Sequence, residues 1–340
     1  MKFVYLHFHL AMDTPYILGK TTVRVSSDIG EYPGGIVIPV DKPYRWTSAD
    51  VIRKIKYAAI RHFSKKNLKV GHAGTLDPLA TGILIVCIGN ATRMAESLQS
   101  SEKEYIAGIS FGATTPSYDL EKDVDRRFPF SHISENLIRE TLDQFKGEQE
   151  QIAPLFSAKS VDGVRAYELA RKLYRKRLSG TQSGPDVSGC GATDIDKAAV
   201  ELLRTSIINI PEIELLDFRP GTGEDSATGM SPALPQNAET ADSPSCTETA
   251  DNLNSTGRTA KTRNAGNRIN VADTSSLGLP HADIRIRCSK GTYIRAFARD
   301  LGEALGSGAH LDSLRRTANG PFRIGQAVSL DYTIALLSGE

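Results

Sequence analysis

Cysteine is scarce in this chain of 340 residues. Cys87, Cys190, Cys246 and Cys288 stand far apart, with no CxxC pair and no histidine at ligand spacing. That pattern excludes a disulfide framework or a structural zinc site and fits a reducing compartment. Long apolar runs are also missing, and none reaches the roughly 18 residues a membrane helix needs. The start, Met1 to Ala11, is apolar but broken by His7 and His9, and it lacks a small-residue cleavage site. It does not read as a secretory signal, so a cytoplasmic location is expected. Neither sign of charge is in excess: 41 Lys and Arg face 40 Asp and Glu, for a net +1. The balance is uneven along the chain, because residues 221–280 hold seven acids and four bases. Taking their net −3 from +1 leaves the remainder near +4, which permits a nucleic-acid partner without requiring one.

Residues 1–33 show no hydrophobic period and read as an extension, with the ordered pattern beginning at Gly34. Ile36–Val40 predicts a short buried strand ended by Pro43. Ser48 suits a helix N-cap, followed by Val51, Ile52, Ile55 and Ala59 at helical spacing, with Arg53 and Lys54 on the other side. The uninterrupted apolar run Ile83–Ile88 predicts a strand buried on both faces. A helix over 91–101, a strand over 104–111 and helices over 134–145 and 166–177 are expected next. A strand over 207–218 follows, with Pro211 arguing for an edge or a break. Residues 221–280 contain seven of Ile, Leu, Val and Met in sixty positions and no aromatic. Such a stretch cannot bury enough apolar surface to offset about 1–2 kcal/mol of backbone entropy per residue, and it reads as a disordered insertion. A smaller Gly- and Ser-rich insertion covers 178–191. After Ile284–Cys288, the helix Tyr293–Leu305 turns Ile294, Phe297, Ala298, Leu301 and Leu305 inward.

Three segments could carry chemistry. Gly71–Gly82 packs three glycines, a proline, His72 and the carboxylate of Asp77 into twelve residues, which implies a tight, specified loop. Its spacing is neither GxxxxGK[ST] nor GxGxxG, and its single carboxylate argues against a two-carboxylate glycosidase pair. An Asp before Pro is more often a turn former than a catalyst, and spacing alone leaves both readings open. Cys288–Arg295 runs from a strand end through a Gly turn into a helix, where free N–H groups could meet an anion and Arg295 could grip a carboxylate bidentately. Tyr105, entering a strand after Lys103, could stack on a base or simply pack.

Taken in order, these segments resemble the TruB family of pseudouridine synthases. The resemblance rests on Asp41-Lys42-Pro43 with Thr47-Ser48, Gly71–Gly89, Lys103 with Tyr105, Gln151 to Ala158, and Ala166–Arg171. It continues through Cys288–Arg295, Asp300–Gly302, Leu314–Arg316 and Gly320–Phe322. It spans roughly Gly34–Phe322 outside the two insertions, and implies one catalytic domain over 34–330. The implied fold is α+β, a mixed, largely antiparallel sheet flanked by helices with a central RNA-binding cleft. The implied activity is conversion of uridine 55 in the T-loop of tRNA to pseudouridine by a flipped-base mechanism, with no metal or cofactor. By the same resemblance, Asp77 is the catalytic carboxylate and Arg295 its partner. Tyr105 stacks the target base and Tyr293 faces it, assisting loss of the C5 proton. His72 helps displace the base, Asp119 lies near the substrate RNA, and Lys42 supports the loop. Arg53, Lys54, Arg285, Arg315 and Arg316 are candidate phosphate contacts. The expected partner is the T-arm of tRNA, with no membrane association and a monomeric enzyme.

The chain departs from the family at Gln151-Ile152-Ala153-Pro154-Leu155-Phe156, where two prolines and a tyrosine usually follow the glutamine, and Lys159 falls one position early. Only eighteen residues follow Phe322, so the C-terminal RNA-binding PUA domain of many relatives is expected to be missing. Two rivals stay open: a non-catalytic tRNA-folding chaperone using the same cleft, and a phosphate-binding enzyme built on the Gly71–Gly82 loop.

Overall fold

The computed structural model describes residues 14–154, 156, 160–161, 164–165, 205–223 and 269–339. One mixed sheet of ten strands organises them. Its main path runs β1 (Tyr16–Ile17), β2 (Ile36–Lys42), β4 (Thr81–Ile88), β10 (Ala309–Asn319), β5 (Lys103–Phe111), β9 (His281–Cys288) and β8 (Glu212–Arg219). Off that path, β3 (Val70–Ala73) pairs with β4, β11 (Phe322–Arg323) with β10, and β12 (Val328–Ser329) with β2. β6 (Gly147–Gln151) and β7 (Ser206–Ile210) form a separate antiparallel ribbon. Three pairings in the main sheet are parallel: β1 with β2, β4 with β10, and β12 with β2. The others are antiparallel, which gives the α+β, largely antiparallel sheet that the resemblance implies.

β4 shows why an unbroken apolar run was needed. Leu84, Val86 and Ile88 join the main core, while Ile83, Ile85 and Cys87 join a second cluster with Val37 and Ala327 on the opposite face. Both faces are dry, so no position on the strand can alternate to polar. The main core is closed by α1 (Ser48–His62), α2 (Glu135–Asp143), α3 (Ile294–Ala304) and α4 (Leu330–Ser338). α1 buries Val51, Ile55, Ala58 and Ala59, which recur at the spacing of one helix face. Burying each Val or Ile there contributes roughly 1.5–3 kcal/mol. The five residues expected to face inward are buried, four on α3 and Leu305 just past its end, and Phe297 meets Phe145 edge-on at 5.3 Å.

Several boundaries differ from the expectation. Thr47, not Ser48, caps α1, in a reciprocal box with Asp50, because Ser48 is used elsewhere. Residues 91–101 divide into a 3₁₀ turn, Gly89–Met94, and a short helix, Ala95–Ser100. Pro211 lies between β7 and β8, the break its missing N–H suggested. Part of the stretch read as an extension is built into the domain: Tyr16 and Ile17 pair with Ile36 and Val37, and Leu18 and Val25 are buried. Both ends of the 221–280 stretch are structured, with the Thr222 and Gly223 amides bonded to the Gly278 carbonyl. The expected helix over 166–177, the insertion over 178–191 and residues 224–268 lie outside the described residues.

Candidate active site

The loop between β3 and β4 is held from every side. Gly74 and Gly82 adopt φ of +89° and +96°, a region that residues with a Cβ rarely enter. At Gly82 a Cβ would also meet the Arg316 carbonyl oxygen at 2.2 Å, so glycine lets β10 lie against the loop's end. Ser48 Oγ accepts from the Leu76 amide (3.0 Å) and donates to the Leu76 carbonyl (3.1 Å). Lys42, 1% exposed, donates to the carbonyls of Pro43 (3.0 Å), Trp46 (2.6 Å) and Pro78 (3.2 Å). Burial pushes its ammonium down to about 7, against the pull of Asp77. Arg316, also 1% exposed, donates to the carbonyls of Ile83 (2.7 Å), Gly74 (3.0 Å) and Thr75 (3.4 Å), and Asn319 donates to Ala73 (3.2 Å).

This bracing fixes Asp77 against the head of α3. Arg295 Nε donates to Asp77 Oδ2 at 2.9 Å and its Nη2 to Oδ1 at 3.2 Å, a two-point grip. The guanidinium also donates to the carbonyls of Ser117 (3.1 Å) and Phe156 (2.7 Å) and lies 3.7 Å from Asp119. Burial works against the Arg295 charge, but Asp77 and then Asp119 outweigh it and hold its pKa above the ordinary value. Arg295 is 5% exposed and Asp77 39%, so the arginine is sealed beneath while the carboxylate meets solvent. The cleft above it, about 280 Å³ including its open mouth, is lined by Asp77, Asp119, Arg295, Leu311 and Leu314 among others. A β-bulge between Leu311 and Ser313 shapes that wall.

The other expected site residues divide into two groups. Tyr105 lies buried on β5 beside Arg316 and within the field of Asp77; burial raises its phenol pKa. Asp119 is buried and takes a hydrogen bond from Ser117 Oγ at 2.6 Å. Tyr293 stands at the head of α3, its backbone gripped by Gln151 through both amide groups (2.8 and 3.2 Å). His72 stands on β3 with Nδ1 buried and without a hydrogen-bond partner among the described residues. Burial, then the Arg316 charge, keeps that imidazole below its ordinary pKa. The candidate phosphate contacts fare differently. Arg316 is buried and its donors are directed at the Gly74, Thr75 and Ile83 carbonyls, away from any phosphate. Arg315 alternates to the opposite face of β10 and pairs with Asp41 at 2.8 Å. Arg53 pairs with Asp50, and Arg285 with Glu214, at the surface. Sequence reasoning missed Ser48, Asn319 and the grip of Gln151. A serine before a helix carries the signal of a cap, and nothing local reveals a partner 28 residues away.

The site is thus a cleft in which one carboxylate, Asp77, is presented on a braced loop and backed by a sealed arginine. The comparisons with known proteins place it. The model for the TruB family pseudouridylate synthase N-terminal domain matches residues 61–202, and that for the tRNA pseudouridylate synthase B C-terminal domain matches 295–337. The chain is 39% identical over 297 residues to the tRNA pseudouridine synthase B of Phocaeicola vulgatus, covering 87% of this chain and 91% of that protein. It is 40% identical over 298 residues to that of Bacteroides thetaiotaomicron, covering 88% and 91%. Among solved structures, a crystal structure of a Cbf5-Nop10-Gar1 complex aligns with a TM-score of 0.46 at 21% identity, over 88% of this chain and 54% of that one. The chain belongs to the TruB family of pseudouridylate synthases. Among the described residues no helix is long and apolar enough to cross a membrane.

Proposed function

We propose that the chain isomerises uridine 55 in the T-loop of tRNA to pseudouridine, as a cytoplasmic monomer and with Asp77 as the catalytic carboxylate. The target base leaves its stack and enters the cleft, since chemistry at the glycosidic bond needs access that a stacked base denies. Asp77 attacks the flipped nucleotide and the N1–C1′ bond breaks. The uracil turns, a C5–C1′ bond forms, and the bond to Asp77 breaks, which returns the free carboxylate. C5 loses a proton, with Tyr293 assisting, and N1 gains one, so the product is an isomer and no external reactant is consumed. Tyr105 supplies a stacking surface, His72 helps displace the base, and Asp119 orients Arg295.

The observation that carries this reading is the Asp77–Arg295 pair, bidentate at 2.9 and 3.2 Å, with the carboxylate open to the cleft. A chaperone without catalysis gives that pair no task. The test incubates unmodified tRNA transcript with the purified protein and maps pseudouridine by carbodiimide-dependent primer-extension stops. The expected outcome is one stop at position 55. The same assay on Asp77→Asn is expected to give none, with tRNA binding kept within a few-fold. Product from the Asp77→Asn protein overturns the mechanism.

A further inference from the structure

Two loops approach the Asp77 cleft, one tied to the Asp77 loop through Lys42 and the other carrying Asp119 of its lining, and a short piece of chain joins them. One is the turn Pro43–Trp46, tied to Pro78 through the Lys42 ammonium, which bonds the Trp46 and Pro78 carbonyls. The other carries Asp119 and Leu120. Residues 269–272, just ahead of β9, cross from the first to the second. Arg45 Nη2 donates to the Ile269 carbonyl at 2.5 Å, and the Ala272 amide donates to the Leu120 carbonyl at 2.8 Å. Three residues of extended chain reach about 10 Å, the span of a strap from rim to rim.

The strap is lightly held and Arg45 is oddly placed. Of its four residues only Ala272 is buried; Ile269 and Val271 are half-buried and Asn270 is exposed. Arg45 has φ of +62°, a left-handed conformation unusual for a residue with a long side chain. Its Nε is buried without a hydrogen-bond partner among the described residues. A guanidinium built for two-point recognition of an anion is thus committed to one neutral carbonyl. Beside it Tyr44 is 44% exposed, an aromatic side chain near enough to Asp119 to feel its charge. Asp273, at the end of the strap, is exposed and would repel an RNA backbone lying alongside it.

We propose that Arg45 is a substrate-binding residue whose guanidinium exchanges the Ile269 carbonyl for an RNA phosphate, and that the 269–272 strap moves aside when RNA enters. The exchange replaces a charged–neutral hydrogen bond with a charge-assisted, bidentate one, so RNA displaces the strap by outbidding it for its latch. Tyr44 then stacks on a base next to that phosphate. This inference rests on the reading of the cleft as the site of tRNA binding.

The first measurement is hydrogen exchange in the Asp77→Asn protein, with and without unmodified tRNA. The Ala272 amide is expected to exchange slowly in the free protein and faster with tRNA bound. The second is tRNA affinity against salt: Arg45→Ala should weaken binding about tenfold and lower the slope of log K against log salt by about one. Arg45→Lys should restore the slope, a recovery that a merely structural role would not give. Ala272→Pro, which removes the latching N–H, should raise kcat/KM several-fold with kcat unchanged. An Ala272 amide that slows or stays unchanged on binding overturns the moving strap, and an unchanged salt slope in Arg45→Ala overturns the phosphate contact. If the wild-type protein forms no pseudouridine in tRNA, the parent reading fails; product with neither effect sinks both the strap and the Arg45 contact and leaves that reading standing.

Discussion

Arg315 and Arg316 are neighbours on β10 and look alike in sequence, yet the strand's alternation sends them to opposite fates. Arg316 enters the dry side, where it donates to the Gly74 and Thr75 carbonyls of the loop and to the Ile83 carbonyl on β4. Arg315 leaves by the other side and, 43% exposed, shares Asp41 with the Gly82 amide. The same contrast separates the two faces of the whole sheet. On the cleft face Lys42, Arg295 and Arg316 are nearly sealed and hold a loop in place. On the outer face Arg285 pairs with Glu214, and Arg287 with Glu102 and Glu212, all between 44% and 68% exposed. Burial sets what a cation is for. A sealed guanidinium must satisfy its donors on fixed acceptors and so becomes a brace, whereas a wet one keeps water as an alternative and fixes little.

The sharpest way to break this contrast is to replace Arg316 by methionine, which keeps the bulk and removes the donors. The Gly74 and Ile83 carbonyls would lose their partners in a dry site, at a cost of about 3 kcal/mol. Because Gly74 and Thr75 belong to the loop that carries Asp77, the proposed catalytic carboxylate, turnover should fall at least 10²-fold, the penalty expected when such a group moves by about 1 Å. Chemical denaturation and single-turnover assays check the two effects. Lost turnover with unchanged stability would instead make Arg316 a direct contributor to the chemistry.

What the sequence disclosed follows the range of the interaction. The burial of β4 on both faces, the inward residues of α3 and the break at Pro211 are written in neighbouring residues, and all were legible. The tight loop at Gly71–Gly82 was legible as a loop. That Arg295 is the partner of Asp77 came from resemblance, because the two are 218 positions apart. No local signal separates Arg316 the brace from an RNA-binding arginine, because its partners lie more than 230 residues back in the chain. Ser48 misled for the same reason: its local pattern is that of a cap, and the competing partner, Leu76, belongs to another element. The edge strand at Tyr16–Ile17 was hidden because two residues carry no period.

A smaller effect is expected behind the cleft wall. At the β10 bulge, Asp312 accepts from His281 Nδ1 at 2.6 Å and from Ser110 Oγ at 2.8 Å, and His281 Nε2 faces Asp283 at 3.2 Å. Gly108 makes room: a Cβ there would meet Ser313 Oγ at 2.3 Å and Asp312 Oδ1 at 2.4 Å. Burial alone would lower the imidazole pKa, but its bonds to Asp312 and Asp283 outweigh that, and outweigh Arg219 on β8, to raise it. Asp312 is lowered: its burial is opposed and outweighed by His281 and Ser110. A raised histidine stabilises below its unfolded pKa of about 6.5 and loses that contribution as pH rises through the folded value. A lowered carboxyl stabilises above its unfolded value and loses that contribution as pH falls through the folded one. The clamp should therefore count most between about pH 4 and 6.5. The Tm deficit of His281→Gln is expected to be largest near pH 6 and to shrink toward about pH 9. A deficit independent of pH would assign His281 to packing alone.

The smallest effect should belong to the outer face, and it tests the comparison most directly. Arg285→Ala removes a guanidinium that is 47% exposed and paired with a carboxylate 53% exposed. Exposed pairs of this kind contribute little, so Tm should stay within about one degree. If only the cleft face meets RNA, the salt slope of tRNA binding should also be the same in Arg285→Ala and wild type, whereas a phosphate contact would lower it by about one. Glu214 argues for no change, since a phosphate approaching Arg285 must first displace that carboxylate and then sit beside its charge. A lowered slope would mean that RNA wraps past the edge strand β8 onto the back of the sheet, and that exposure, not only burial, had hidden a function there.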